Sequence, residues 1–109
     1  MSQIADESAY LKLADATFRR LEDLFRDVDA DDVDCERAGD VLTLVFKNRG
    51  KCVVNTQRPT RQIWLAAGAR AWHFDWDAAK DEWRDSKTGE DELFATLKRI
   101  VKENAGVVV

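Results

Sequence analysis

The chain holds one histidine, one proline, five glycines and two cysteines among 109 residues, and each scarcity excludes something. His73 is alone, and Cys35 and Cys52 form no C-x-x-C pair, so four ligands for a structural zinc are not to be found. The two thiols read as reduced side chains in or near strands. The glycines form no phosphate-cradling loop: the Gly50-Lys51 pair has Val45 where the first glycine would stand. No nucleophile neighbours His73, which reads as a sheet-surface side chain, and neither cysteine has a recognisable nucleophile context, so the chain does not read as an enzyme. No apolar run approaches the roughly 20 residues that span a bilayer. The opening MSQIADESAYLK has no basic segment ahead of an apolar one and is acidic, unlike a transit peptide. A cytoplasmic chain without membrane association is expected.

What is present argues for one folded domain over 1–109, with its core at about 6–104 and a tail at 105–109. Hydrophobic residues make up 45% of the chain and include four tryptophans, enough for a modest core despite charged residues at 35%. The net charge of −4 hides an asymmetry. Residues 1–36 hold 11 acids and 4 bases, whereas residues 37–109 hold 10 acids and 13 bases. The molecule should therefore present a negative pole, which excludes nucleic acid as that pole's partner.

From about 6 to 28, Tyr10, Leu13, Ala14, Thr17, Leu21, Leu24, Phe25 and Val28 fall at three-and-four spacing, which predicts an amphipathic helix. Segments of period two follow at 33–37, 41–47, 51–57, 61–67, 71–76 and 82–86, with connections too short for parallel crossovers. From 90 onward Leu93, Phe94, Leu97, Ile100 and Val101 share one helical face, with acids in the first turn, bases near the end and Gly106 as a stop. The terminal valines find no place in this pattern. The order predicts an α+β two-layer sandwich, its N- and C-terminal helices packed on one face of a five- to six-stranded antiparallel sheet. Alternation then directs Trp72, Phe74 and Trp76 inward and His73, Asp75, Gln62 and Trp64 toward the bare face. A large indole on a polar face is a candidate protein-binding anchor.

The stretch DVDADDVD at 27–34 begins like a calcium loop, with Asp27, Asp29 and Asp31 at positions 1, 3 and 5. Asp32 stands where such a loop needs glycine and Ala38 where it needs glutamate, which argues against a tight calcium site. With Glu22 and Asp23 it forms a longer run of carboxylates. Like charges at Asp23 and Asp27 repel by roughly a few tenths of a kcal/mol if helical, offset in part by Arg19 with Asp23 and Glu22 with Arg26. Carboxylates without imidazole or thiolate suit hard cations such as Fe²⁺, Fe³⁺, Mn²⁺, Ca²⁺ or Mg²⁺. From the acids alone, a solvated surface, weak cation binding and docking of a basic protein all stay open.

The stretch VVNTQRPTRQIWLAA at 53–67, followed by HFDW at 73–76 and EW at 82–83, resembles the frataxin family, the bacterial CyaY type most closely. The family's Asn-x-Gln-x-Pro-x-x-Gln-x-Trp-Leu signature stands here as Asn55, Gln57, Pro59, Gln62, Trp64 and Leu65, and its aromatic-Asp-aromatic strand as Phe74, Asp75 and Trp76. The resemblance implies an iron-binding accessory protein of iron–sulfur cluster assembly. It implies that Glu22, Asp23, Asp27, Asp29, Asp31, Asp32 and Asp34 bind Fe²⁺ or Fe³⁺ weakly and dock on a basic surface of the cysteine desulfurase. It further implies that Asn55, Gln57, Gln62 and Trp64, with His73 beside them, meet the iron–sulfur scaffold protein. A monomer is expected, with oligomerisation under iron left open. Arg58 and Arg61 make the signature loop more basic than the family pattern, and Arg26 stands amid the acids. Two other readings stay open, an iron store or ferroxidase and an acidic adaptor for which metal is irrelevant.

Overall fold

Asp6 is extended and accepts a hydrogen bond from the Ala9 amide at 2.8 Å, which satisfies one of the open donors at the start of helix α1 (Glu7–Asp23). In the computed structural model, which describes residues 4–109, the chain continues as strands β1 (Val33–Ala38), β2 (Val41–Phe46), β3 (Lys51–Gln57), β4 (Gln62–Ala67), β5 (Arg70–Asp77) and β6 (Glu82–Asp85), then helix α2 (Leu93–Ala105). Residues 1–3 of the expected domain lie outside the described residues. The strands form one antiparallel sheet in sequence order, β1 to β6, as their short connections require. The two helices pack against it, giving the expected α+β sandwich with six strands.

Alternation decides which face they cover. Leu42, Leu44, Val54, Ile63, Leu65 and Phe74 are fully buried, while their neighbours in sequence stay partly open. Tyr10, Ala14, Thr17, Phe18 and Leu21 of α1 and Leu93, Leu97, Ile100 and Val101 of α2 close over them. Phe18, absent from the predicted apolar stripe, is 1% exposed and widens that stripe by one position. Two polar ties fix α1 on the sheet. The Trp83 indole N–H donates to Thr17 Oγ1 at 3.0 Å, and Thr17 Oγ1 donates in turn to the Leu13 carbonyl at 2.8 Å. The Tyr10 hydroxyl donates to the Gln62 carbonyl at 2.6 Å and accepts from the Gln57 amide at 3.0 Å.

The boundaries correct the sequence reading in three places. Helix α1 ends at Asp23, not near 28, and residues 24–28 continue as turns with the Phe25 amide bonded to Glu22 and the Val28 amide to Phe25. Ending there keeps Asp27 off the helix, where its charge would oppose the negative end of the helix dipole. Phe25 remains buried, so the apolar pattern outlasts the helix. Arg61 belongs to no strand; it adopts a left-handed conformation (φ 52°) that closes the 3₁₀ turn of Arg58–Thr60. Glu92 caps α2 through bonds from the Phe94 and Ala95 amides, so Glu90 and Asp91 precede the helix. Beyond Gly106 (φ 68°), the unplaced valines find a location: Val107 and Val109 pack against the core edge, and Val108 faces out. Among the described residues no helix is long and apolar enough to cross a membrane.

Cys52 lies fully buried on β3 and Cys35 half-buried on β1, both opposite Leu44 and both free thiols. Burial pushes the Cys52 thiol up to about 12. A thiol raised in this way stabilises the fold below the unfolded-state value, and that contribution drains away as pH rises from about 9 toward 12. Alkaline unfolding followed by tryptophan fluorescence should therefore be shallower for Cys52→Ala than for the parent between these limits. Equal pH slopes for the two chains would show that the thiol does not couple to folding.

Candidate binding surfaces: the acidic ridge and the open sheet face

The acids expected to act together occupy three kinds of backbone. Glu22 and Asp23 end α1, Asp27 sits in the turns beyond it, Asp29, Asp31 and Asp32 belong to the loop before the sheet, and Asp34 is on edge strand β1. Their pairing differs from the pattern along the helix. Arg19 pairs with Asp15, not Asp23, and Arg26 pairs with Asp23, not Glu22. Glu22 is instead engaged by Arg37 of β1 at 3.1 Å, and the same guanidinium reaches Asp15 at 2.6 Å. Arg37 also lies 5.2 Å over the Phe18 ring. It thus ties the edge strand to α1 across a gap in sequence that no helical periodicity reports.

The remaining acids divide further. The Asp29 carboxylate accepts from the Asp31 amide at 2.9 Å, and its carbonyl accepts from Asp32 and Val33, so Asp29 shapes the loop. Asp32 stands 4.0 Å from Lys47, at the margin of an ion pair. Asp27, Asp31 and Asp34 are exposed and have no partner among the described residues. Glu36 joins them: two positions along β1 from Asp34, it faces the same side, a relation that strand alternation alone would have predicted. Among the described residues no three His, Cys, Asp or Glu side chains converge closely enough to hold a metal ion. The donor set suits a hard cation, but only one or two carboxylates and water could meet it at any point on the ridge.

The bare face of the sheet is more ordered than a solvated surface. Register places Asn55, Trp64 and His73 in one row across β3, β4 and β5. The Trp64 and His73 rings stack with centroids 4.0 Å apart and planes 11° from parallel. The indole N–H donates to Gln62 Oε1 at 2.8 Å, and the Gln62 amide donates to Asp75 Oδ1 at 3.0 Å. Trp64 is thereby held in one orientation, half-buried, with its neighbours supplying polar edges. Asn55 donates to the Thr56 carbonyl, and Gln57 flanks the row at the turn carrying Arg58 and Arg61. The structure brings these five expected residues together on one face.

Arg37 carries a testable consequence. Hydrogen bonding from Arg37 holds the Asp15 carboxyl below its ordinary value, with Arg19 adding to it. A lowered carboxyl stabilises the fold above its unfolded-state value, and the effect is lost as pH falls through the folded-state value. Arg37→Gln should lower the thermal midpoint at pH 7 by roughly 5 °C and flatten the acid limb below about pH 4. Calorimetry across that range checks both, and an unchanged midpoint would mean that the bridge does not hold β1 to α1.

Comparison with known proteins agrees with this geometry. A model of the frataxin-like domain matches residues 3–107. The chain is 41% identical over 100 residues to the iron–sulfur cluster assembly protein CyaY of Pseudomonas fluorescens, covering 92% of this chain and 89% of the relative. It is 43% identical over 100 residues to the CyaY of Paraburkholderia xenovorans, covering 92% and 91%. Among solved structures, frataxin from Psychromonas ingrahamii superposes with a TM-score of 0.86 at 30% identity, covering 96% of both chains. Trimeric frataxin from Saccharomyces cerevisiae, complexed with ferrous iron, gives 0.69 at 27% identity, covering 98% of this chain and 92% of that one. With Asn55, Gln57, Gln62 and Trp64 of the signature together on the open face and the fold in common, the chain belongs to the frataxin-like family, as a member of its bacterial CyaY type.

Proposed function

We propose that this protein is a cytoplasmic accessory factor of iron–sulfur cluster assembly that works by docking rather than by catalysis. The acidic ridge meets a basic surface of the cysteine desulfurase, and the open face around Trp64 meets the scaffold protein. The reading draws its pathway from the CyaY relatives. The observation that carries it is the pairing of two unlike surfaces: unpaired carboxylates along edge strand β1, and a pinned tryptophan on the face beside it. Exposed charges of one sign accelerate encounter with an opposite surface, and a preorganised aromatic loses little entropy on contact. Iron is cargo here. Fe²⁺ or Fe³⁺ bound by one or two ridge carboxylates and water exchanges readily, which suits delivery or sensing more than storage.

A second reading, an iron store built of oligomers, takes support from the trimeric yeast relative complexed with ferrous iron. Sedimentation with and without Fe²⁺ separates the two, because a store assembles as iron is added and an accessory factor of this kind stays monomeric.

Substitution of Asp27, Asp31 and Asp34 by asparagine removes charge without disturbing the turn that Asp29 holds. Desulfurase affinity at low salt should fall by about tenfold or more, and its dependence on ionic strength should weaken. Trp64→Ala should leave desulfurase binding intact and cost about 2 kcal/mol in scaffold binding, read by calorimetric titration. Triple-variant affinity equal to that of the parent would rule out the ridge as the dock.

A further inference from the structure

The cations of this chain divide by whether an acid answers them. Arg19, Arg26, Arg37, Arg84 and, at the margin, Lys47 have a carboxylate partner. Of the several cations without one among the described residues, Lys51, Arg70 and Arg99 line one cleft of about 190 Å³. The cleft lies where the β2–β3 and β4–β5 turns approach the later part of α2, away from the signature face.

Its walls are fixed. Asn48 donates to Asn104 Oδ1 at 3.0 Å, and Asn104 donates to the Ile100 carbonyl at 2.8 Å, which ties the β2–β3 turn to the helix. Gly50 sits so close to this pair that a Cβ there would lie 2.9 Å from Asn48 Oδ1 and 3.1 Å from Asn104 Oδ1. On the opposite wall the Arg70 guanidinium carbon lies 4.6 Å from the centre of the Trp72 ring, within cation–π range. Trp72 is 6% exposed, and its indole N–H donates to Asp91 Oδ2 at 3.2 Å, so the platform beneath Arg70 is itself held.

A guanidinium carries its N–H donors in a planar fork that matches the oxygens of a phosphate or carboxylate. Glu103 is the one carboxylate among the lining residues and offsets part of the positive charge. Two arginines and a lysine against one glutamate still leave the cleft cationic. The volume gives room for a small ion.

We propose that the cleft framed by Lys51, Arg70 and Arg99 binds a small dianionic oxyanion, either inorganic phosphate or a phosphate monoester. Arg70 supplies a planar fork beside Trp72, Arg99 adds a second from the helix, and Lys51 adds charge from β3. The site is independent of the acidic ridge, so it stands or falls apart from the docking function.

The test titrates inorganic phosphate into the full chain at constant ionic strength, with chloride as the reference salt, and follows amide and indole signals by NMR. Saturable shifts are expected at Gly50, Gly68, Arg70 and the Trp72 indole N–H, with none across 27–34. R70Q and R99Q should each weaken binding about tenfold, the loss of one charge-assisted hydrogen bond. R99Q alters an exposed helix position and keeps the test valid if R70Q disturbs Trp72. A parallel titration with glycerol phosphate assigns the source: tighter binding than phosphate favours a monoester, and weaker binding favours the free ion. Non-saturating shifts, equal shifts with chloride, or parental affinity in R99Q together with R70Q would overturn the proposal.

Discussion

One hydroxyl group sets much of what the signature face can do. Tyr10, fully buried on the first helix, reaches the end of the sheet and bonds both ends of the connection between β3 and β4. Burial is the largest influence on that phenol and holds its ionisation above the ordinary value, so it stays protonated and able to donate. A turn pinned from below fixes where Gln57 and Gln62 leave the strands. Those positions in turn fix Trp64, whose indole depends on Gln62 for its acceptor. The open face is therefore oriented from inside the core, by a residue that solvent does not reach.

Much of this architecture was legible in the chain. Period-two alternation in 41–47, 61–67 and 71–76 identified which side chains face the helices, because burial on one face of an antiparallel sheet leaves no other choice. The end of the first helix was not legible. Phe25 and Val28 keep the apolar spacing after the backbone has tightened into turns, so hydrophobicity alone points past the true terminus. Gly106 and the capping acids near 90 gave the second helix within a few residues, yet Glu92 was the cap where a first turn had been expected.

The acidic ridge shows a different limit. Its membership came from composition, but its state depends on Arg37, whose partners Asp15 and Glu22 lie on another element. Pattern along a helix can pair residues three or four apart and is blind to a strand that folds back beside it. The result is a ridge with two parts: a bridged part that joins sheet to helix, and an unbridged part at Asp27, Asp31, Asp34 and Glu36. The spread of the second part over turn, loop and strand leaves no three described side chains close enough to hold a metal ion together. The signature around Trp64 was legible as a set, whereas its stack with His73 required the register of two strands.

The position of β1 gives the acids another consequence. As the first strand of the sheet it has a neighbour on one side only, and its other edge carries backbone groups that could pair with a strand of another chain. Asp34 and Glu36 stand exposed on that edge strand, and a second strand bearing similar charge would be repelled before it could align. These carboxylates thus guard the sheet against growing by addition of its own kind.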